Sequence, residues 1–403
     1  MSADSKTKNK KTPRICMCVF SYYPADARVR REAEALVEAG IQVDVVSLRQ
    51  EDQKKKETVN GVGVYRLPVK RKRGGKLRYM WEYFAFILLS LFKITGLHLG
   101  KRYQIVHVHN MPDVLIYCAL FPRLLGAKAI LDLHDPMPEV FMTKYDMNYD
   151  HKAIRLLRFL EKLSIAFANQ VLTPNIAFRN LFVRRSCPAE KIEIVMNAPQ
   201  ESIFEAALEK AQPRPDEGQV FRLMYHGTVV ERHGLDTALE AVELLRDKIP
   251  GLCFEVYGEG DFVETFLEIR KEKKLEDIVH YHGFVTMETI ADAIPHIDIG
   301  LIPNKRSTFT EINLPTRILE YLSMKKPVIA PRTQGILDYF EEDSLYWFEP
   351  GNAQSLSEAI LRAWENPDEK DKVLKKGRAI YEKHRWSREK ERLIGIVSPL
   401  LER

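Results

Sequence analysis

The chain has 403 residues, 45% of them hydrophobic, which exceeds the size at which a single core stops growing and predicts two domains of roughly 200 residues. A formal net charge of +5 is modest for this length and does not call for nucleic acid as a partner. The five cysteines, Cys16, Cys18, Cys118, Cys187 and Cys253, form no CxxC, so neither a disulfide framework nor a zinc site is suggested and a reducing compartment fits best.

Residues 1–12 are a lysine-rich, polar tail without the apolar segment of a secretory signal. "RICMCVF" (14–20) reads as a strand, "DARVRREAEALVEAG" (26–40) as a helix stopped by Gly40, and "QVDVVSL" (42–48) as a second strand. Lys70, Arg71, Lys72 and Arg73, with Lys76 and Arg78, then form a basic run directly ahead of the most apolar stretch, which runs from Tyr79 to Leu99. Glu82 and Lys93 interrupt that stretch and leave an apolar core of about ten residues, too short to span a bilayer and suited to an interfacial or a core helix. Peripheral attachment to an anionic membrane therefore stands beside a solvated loop followed by a buried helix.

"YQIVHVHN", "AKAILDLHD", a helix over 150–168, "QVLTP", a helix over 176–185 and "EKIEIVMNAP" complete a first domain at 13–199. Such alternation implies a parallel sheet covered on both faces. Residues 200–217 lose apolar periodicity and gain prolines and charges, as a linker does. The pattern restarts over 218–380 with "FRLMYHG", "CFEVYGEG", "IVHYHGF", "IDIGLIP", "KPVIAP" and "SLYWFE", interleaved with helices, and a last helix lies within 381–403. The expected fold class is α/β, two doubly wound Rossmann-like domains in tandem, with a ligand between them outside the carboxyl ends of the strands.

Candidate site residues collect after those strand ends. Gly227 and Thr228 open a turn whose backbone amides could hold an anion, with Arg232 and His233 adding charge, and Gly258 permits close approach by a flat ligand. In "TEINLPTRILEYLSMKKPVIAP" (310–331), Pro315 suits a first helical turn, and the amides of Leu314 and Thr316 would present a positive end fit for a diphosphate. Glu320 lies one turn deeper on an otherwise apolar helix, where a carboxylate needs hydrogen-bond donors; a ribose diol, or a structural Arg or Lys, would serve. His134 and Asp135 follow a strand in the first domain. The pairs His107 with His109 and His280 with His282 have no carboxylate or cysteine at ligand spacing, so no metal is expected. No GxGxxG follows the first strand, and no GxxxxGK[ST] or GxSxG occurs, which argues against dehydrogenase, P-loop and hydrolase chemistry.

"INLPTRILEYLSMKKPVIAP" resembles the signature helix of retaining GT-B glycosyltransferases of family four. The similarity extends through "RVRREAEALVEAGIQVDVVS", "IVHVHNMPD", "LDLHDPMPE", "IVMNAP" and "HGTVVERHGLDTALEAV" to a last helix, with Trp386, like the family's crossover onto the N-terminal domain. The resemblance implies two domains facing a central cleft, a nucleotide-sugar donor, most often a UDP sugar, and retention without an obligatory metal or cofactor. By it, Glu320 holds the ribose, the loop from Glu311 to Pro315, with Asn313 and Leu314, lines sugar and diphosphate, Gly258 and Phe284 flank the base, and His134 sits near the transferred sugar. Arg232 offsets diphosphate charge, and transfer proceeds on the front face, assisted by the leaving phosphate. Three positions depart from the pattern: the family's first glutamate falls on Ile312, with Glu311 the nearest acid; its usual lysine is His233; and the first loop, "SYYPADAR", has no glycine, leaving Tyr23, Asp26 and Arg28 for the acceptor side together with Asp135. The expected function is hexosyl or N-acetylhexosaminyl transfer to a lipid-linked or polysaccharide acceptor, in the cytoplasm on the inner face of the cell membrane. A nucleotide-sugar epimerase of the same fold and a catalytically silent nucleotide-sugar-binding protein are the alternatives.

Overall fold

The computed structural model describes residues 12–69, 76–212 and 220–402, without the side chains of 76–79. Lys70, Arg71, Lys72 and Arg73, and all of the basic tail but Thr12, lie outside the described residues.

The first domain is built on one sheet. Its strands are β1 (Arg14–Tyr22), β2 (Gln42–Leu48), β3 (Lys56–Val59), β4 (Val62–Leu67), β5 (Ile105–His109), β6 (Lys128–Asp132), β7 (Gln170–Thr173) and β8 (Ile192–Ile194), in the order β3-β4-β2-β1-β5-β6-β7-β8. All neighbours are parallel except β3 and β4. The sequence reading gave no strand between 48 and 103, yet Asn60 and Gly61, both at positive φ (50° and 80°), close a two-residue turn between β3 and β4. Asn-Gly supplies the two left-handed residues that such a hairpin needs.

Period-two alternation distributes the core to both faces of this sheet. Cys16, Cys18 and Phe20 of β1 and Val106 and Val108 of β5 pack beneath the helices Lys76–Lys101, Lys152–Phe167 and Ile176–Arg185. Ile15, Met17 and Val19 pack on the other side against Ala27–Glu38 and the final helix, Trp386–Leu401, through its Leu393 and Val397. The chain's end thus lies on the first domain, and the Glu389 carboxylate accepts from the Met196 amide at 2.9 Å.

The second sheet comprises β9 (Phe221–His226), β10 (Leu252–Tyr257), β11 (Val279–Gly283), β12 (Ile299–Leu301), β13 (Val328–Pro331) and β14 (Tyr346–Phe348), all parallel, in the order β11-β10-β9-β12-β13-β14. Connections leave in opposite directions on either side of β9, and a crevice opens at such a reversal. Residues 200–217, expected as a linker, begin with a helix, Glu201–Lys210, whose Phe204 and Ala207 join the second domain's core beside Ile318 and Leu319. At ten residues, its apolar positions are too few to stand out as a period.

The apolar segment after the basic run is also longer than expected. Met80–Lys101, 22 residues, is by length and composition long enough to cross a membrane. Its Phe86 and Ile94, however, are fixed in the core of the first domain.

Candidate active site

Three loops leave the carboxyl ends of β9, β10 and β11 and are tied to one another through their backbones. Gly227 N donates to Tyr257 O at 3.0 Å, Gly258 N to Gly283 O at 2.7 Å and Val229 N to Glu259 O at 3.0 Å. Gly258 has φ 135°, and a Cβ there would stand 1.8 Å from the Gly227 carbonyl oxygen, so only glycine closes this junction. The loops bound a cavity of about 330 Å³ lined by His226, Gly227, Thr228, Tyr257, Gly258, Glu259, Phe284 and Met287. Gly227, Thr228, Gly258 and Phe284, chosen from separate stretches of sequence, therefore share one wall-and-mouth arrangement. Phe284, 71% exposed, is the aromatic surface at its edge.

The helix Thr316–Ser323 enters between this cavity and the first domain. Pro315 is its cap residue, with φ −65°, and Leu314 is buried in the second domain's core. The amides of Thr316 and Arg317, first in the helix, have no intrahelical acceptor. Asn313 holds the preceding loop, its amide donating to Phe309 O at 3.1 Å.

Glu320 is buried, and its Oε2 has no hydrogen-bond partner among the described residues. The Nε2 of His226 stands 3.2 Å from it. Burial pushes the Glu320 carboxyl up to about 7, against the pull of Arg317 and Arg31. Burial, and then Arg317, push His226 down to about 3. At neutral pH the imidazole is therefore uncharged and does not compensate the carboxylate.

A second cavity, of about 470 Å³, lies between the domains and takes Thr316 and Glu320 from one side and Asp26, Arg28, Arg30, Arg31, His134 and Asn197 from the other. His134 is partly exposed there, and its inner Nδ1 is buried without a hydrogen bond. Burial raises the Asp135 carboxyl, offset by His134 and by Arg232 from the opposite domain, which puts Arg232 across the cleft from it. The Arg232 Nε is buried and unpartnered.

His233, Glu311 and Tyr23 do not match their expected roles, while Asp26 and Arg28, which line the interdomain cavity, are also tied into the first domain. His233 carries no charge at neutral pH: burial and Arg317 lower it to about 3, and its Nδ1–H donates to Thr228 O at 2.7 Å, stiffening the turn. Glu311 lines neither cavity; it accepts from Arg306 at 2.6 Å and from the Gln334 amide at 3.2 Å. Tyr23 is closed in the first core with no exposed surface. Asp26 caps the helix Ala27–Glu38 by accepting from Val29 N at 3.2 Å. Arg28 is held bidentately by Asp132, at 2.6 and 2.9 Å, and donates also to Val195 O and Asn197.

The carboxylates missing around the paired histidines are supplied by the fold. Glu32 and Asp132 come within 4.8 Å of His107 and His109, all four buried, but Arg28 already stands 2.6 Å from Asp132 and 3.2 Å from Glu32 and fills the cationic place. At the surface, Glu255 pairs with His280 and His282 at 3.5 and 2.5 Å.

Two residues escaped the sequence reading. Arg317 lies 4.5 Å over the Tyr225 ring and donates to His226 O at 2.8 Å, with its guanidinium beside Gly227. Arg31 packs 5.4 Å over the ring of Trp386 and faces Glu320 from the other domain. Arg317 was legible as a cation in the first turn of an apolar helix; Arg31 carried no signal, because its importance depends on domain contact.

Residues 25–198 match the glycosyl transferase 4-like domain, and residues 207–380 match glycosyl transferases group 1. The chain is similar to the amylovoran biosynthesis glycosyltransferase AmsK of Erwinia amylovora, 28% identical over 199 residues, which are 48% of this chain and 47% of that protein. The match thus spans about half the length of that relative. Among solved structures, sucrose-phosphate synthase of Thermosynechococcus elongatus superposes with a TM-score of 0.77 at 16% identity, covering 97% of this chain and 99% of the other. Anabaena HepE in complex with UDP-glucose superposes with a TM-score of 0.72 at 14% identity, covering 96% and 99%. With both halves accounted for by consecutive domain families and the whole by this fold, the chain belongs to the GT-B glycosyltransferases of family four.

Proposed function

We propose that the protein is a retaining glycosyltransferase that moves a hexosyl or N-acetylhexosaminyl group from a UDP-linked donor to a lipid-linked or polysaccharide acceptor in cell-surface glycan assembly. The observation that carries this reading is Glu320, a buried carboxylate whose Oε2 has no hydrogen-bond donor among the described residues, set beside both the glycine-lined cavity and the interdomain cavity. Ribose hydroxyls supply the donors it lacks. The base lies between Gly258 and Phe284, and the transferred sugar lies near His134. As the donor bond breaks, negative charge grows on the diphosphate, and Arg232, Arg317 and the amides at the start of Thr316–Ser323 offset it. This reading assigns no step to a metal or cofactor and no covalent nucleophile; the acceptor attacks on the face the diphosphate leaves. AmsK, named for amylovoran biosynthesis, and HepE, solved with UDP-glucose, support the acceptor and donor classes. Relatives named as transferases do not favour an epimerase or a silent binding protein. The site works in the cytoplasm, at the inner face of the membrane.

The test is a thermal-shift panel of UDP, GDP and ADP sugars, followed by a donor-hydrolysis assay with the strongest stabiliser. Stabilisation by a UDP sugar, with turnover lost in Glu320→Ala, is the expected result. No stabilisation by any nucleotide sugar overturns the proposal.

A further inference from the structure

The exposed apolar surface of this protein is concentrated on one side of the first domain. Trp81, Phe84 and Phe92 stand out from the helix Lys76–Lys101, Phe121 and Leu124 from the short helix Leu120–Leu124, and Phe159 from Lys152–Phe167, with Trp81 68%, Phe92 65% and Leu124 74% exposed. These helices cover the same face of the sheet, above the core that holds Phe86, Ile94 and Ile165. Arg123 bridges two of them, its guanidinium 4.7 Å over the Phe167 ring. Large apolar side chains exposed together on helices of one face mark a surface for a partner.

The charges on these helices identify the partner. Lys93, Lys152, Arg155 and Lys162 are exposed, whereas the acids, Glu82 and Glu161, are both buried. Every exposed ionised side chain of the three helices is therefore a cation, interleaved with aromatic and long aliphatic groups. Lys70, Arg71, Lys72 and Arg73 precede the first helix in sequence.

We propose that this three-helix face is a docking surface for an anionic lipid bilayer, with the rings entering the headgroup–acyl boundary and the ammonium and guanidinium groups meeting lipid phosphates. A second copy fits poorly, because a two-fold contact through the same face sets cation against cation. The first helix lies along the membrane rather than through it, since Phe86, Ser90 and Ile94 hold its inner side on the sheet. The surface shares with the proposed function only the place at the membrane and exists whether or not the cleft transfers a sugar, so loss of vesicle binding and loss of donor binding are separate outcomes.

The test uses the full chain with vesicles of phosphatidylcholine alone or mixed with phosphatidylglycerol. The protein floats with the mixed vesicles and is released by salt, and brominated phosphatidylglycerol quenches its tryptophan fluorescence while brominated phosphatidylcholine alone does not. Replacing Lys93, Arg155 and Lys162 with Gln weakens binding to the mixed vesicles about 100-fold, at about tenfold or less for each cation. Trp81→Ser with Phe92→Ser removes vesicle binding and leaves the thermal stabilisation by nucleotide sugar intact. Absence of flotation and quenching in the unaltered protein overturns the proposal, as does wild-type binding by either variant. A dimer in solution that these substitutions separate, without vesicle binding, also overturns it and assigns the face to a second copy.

Discussion

Two buried carboxylates, one in each domain, are compensated in opposite ways. Asp132 is fully buried, yet Arg28 and then His109, prevailing over the effect of burial, hold its carboxyl well below the usual range. Glu320 is nearly as buried, but the histidine beside it is neutral, its Oε2 accepts no hydrogen bond, and its carboxyl rises to about 7. The first is scaffold: its charge is cancelled before any ligand arrives, and it ties the helix Ala27–Glu38 to β6. The second is the candidate site, since a buried oxygen without a donor is costly to the fold and persists where a ligand supplies the donor.

The largest expected effect tests the scaffold side. Arg28→Ala leaves Asp132 and Glu32 buried without their cation and should destabilise the protein by about 3–5 kcal/mol in urea unfolding. A loss below about 1 kcal/mol would erase the distinction between the two carboxylates.

Glu320→Gln should act in the reverse direction on stability. A carboxyl whose pKa stands at about 7 rather than its usual 4.5 costs on the order of 3 kcal/mol to keep ionised in the fold. Because the folded value is the raised one, Glu320's own contribution to stability is most favourable below 4.5 and is lost as pH rises through about 7. The Gln variant should therefore match the parent at pH 5 and exceed it at pH 8, while binding its nucleotide sugar about 10- to 100-fold more weakly through the lost charged acceptor. A variant that gains no stability at the higher pH would show that Glu320 is already compensated.

Arg317→Ala sharpens the site side further. It should weaken UDP binding by about tenfold and uridine binding hardly at all, measured by calorimetry, because the proposed contact is to the diphosphate. The smallest effect belongs to Phe284→Ala: about 1 kcal/mol of binding, shared by UDP and uridine alike, since a stacking surface at the cavity mouth sees only the base.

Much of the fold was legible in the sequence because it depends on local spacing. Alternating short apolar runs and amphipathic helices announced parallel sheets, and the glycines after β9 and β10 marked backbone that approaches other backbone. The Asn60-Gly61 turn was equally legible and went unread, so the β3–β4 hairpin came as an addition. The helix Glu201–Lys210 was obscured for a different reason: a short helix that completes a neighbouring core needs few apolar residues, and acids fill its outer face.

By itself, the sequence determined that there are two doubly wound domains, that Gly227, Gly258 and Pro315 punctuate the loops at strand ends, and that one acid, Glu320, lies on an apolar helix. These follow from periodicity, turn chemistry and the cost of burying charge, all of which act over a few residues. Tertiary structure alone decided which buried charges are cancelled, because Arg28 and Asp132 are 104 positions apart and meet only when a helix is laid on the sheet. It also decided that His233 is neutral, that Glu311 turns to Arg306, and that the aromatic side of Lys76–Lys101 faces outward. Burial and charge compensation are properties of what surrounds a side chain, and the surroundings are assembled from the whole chain.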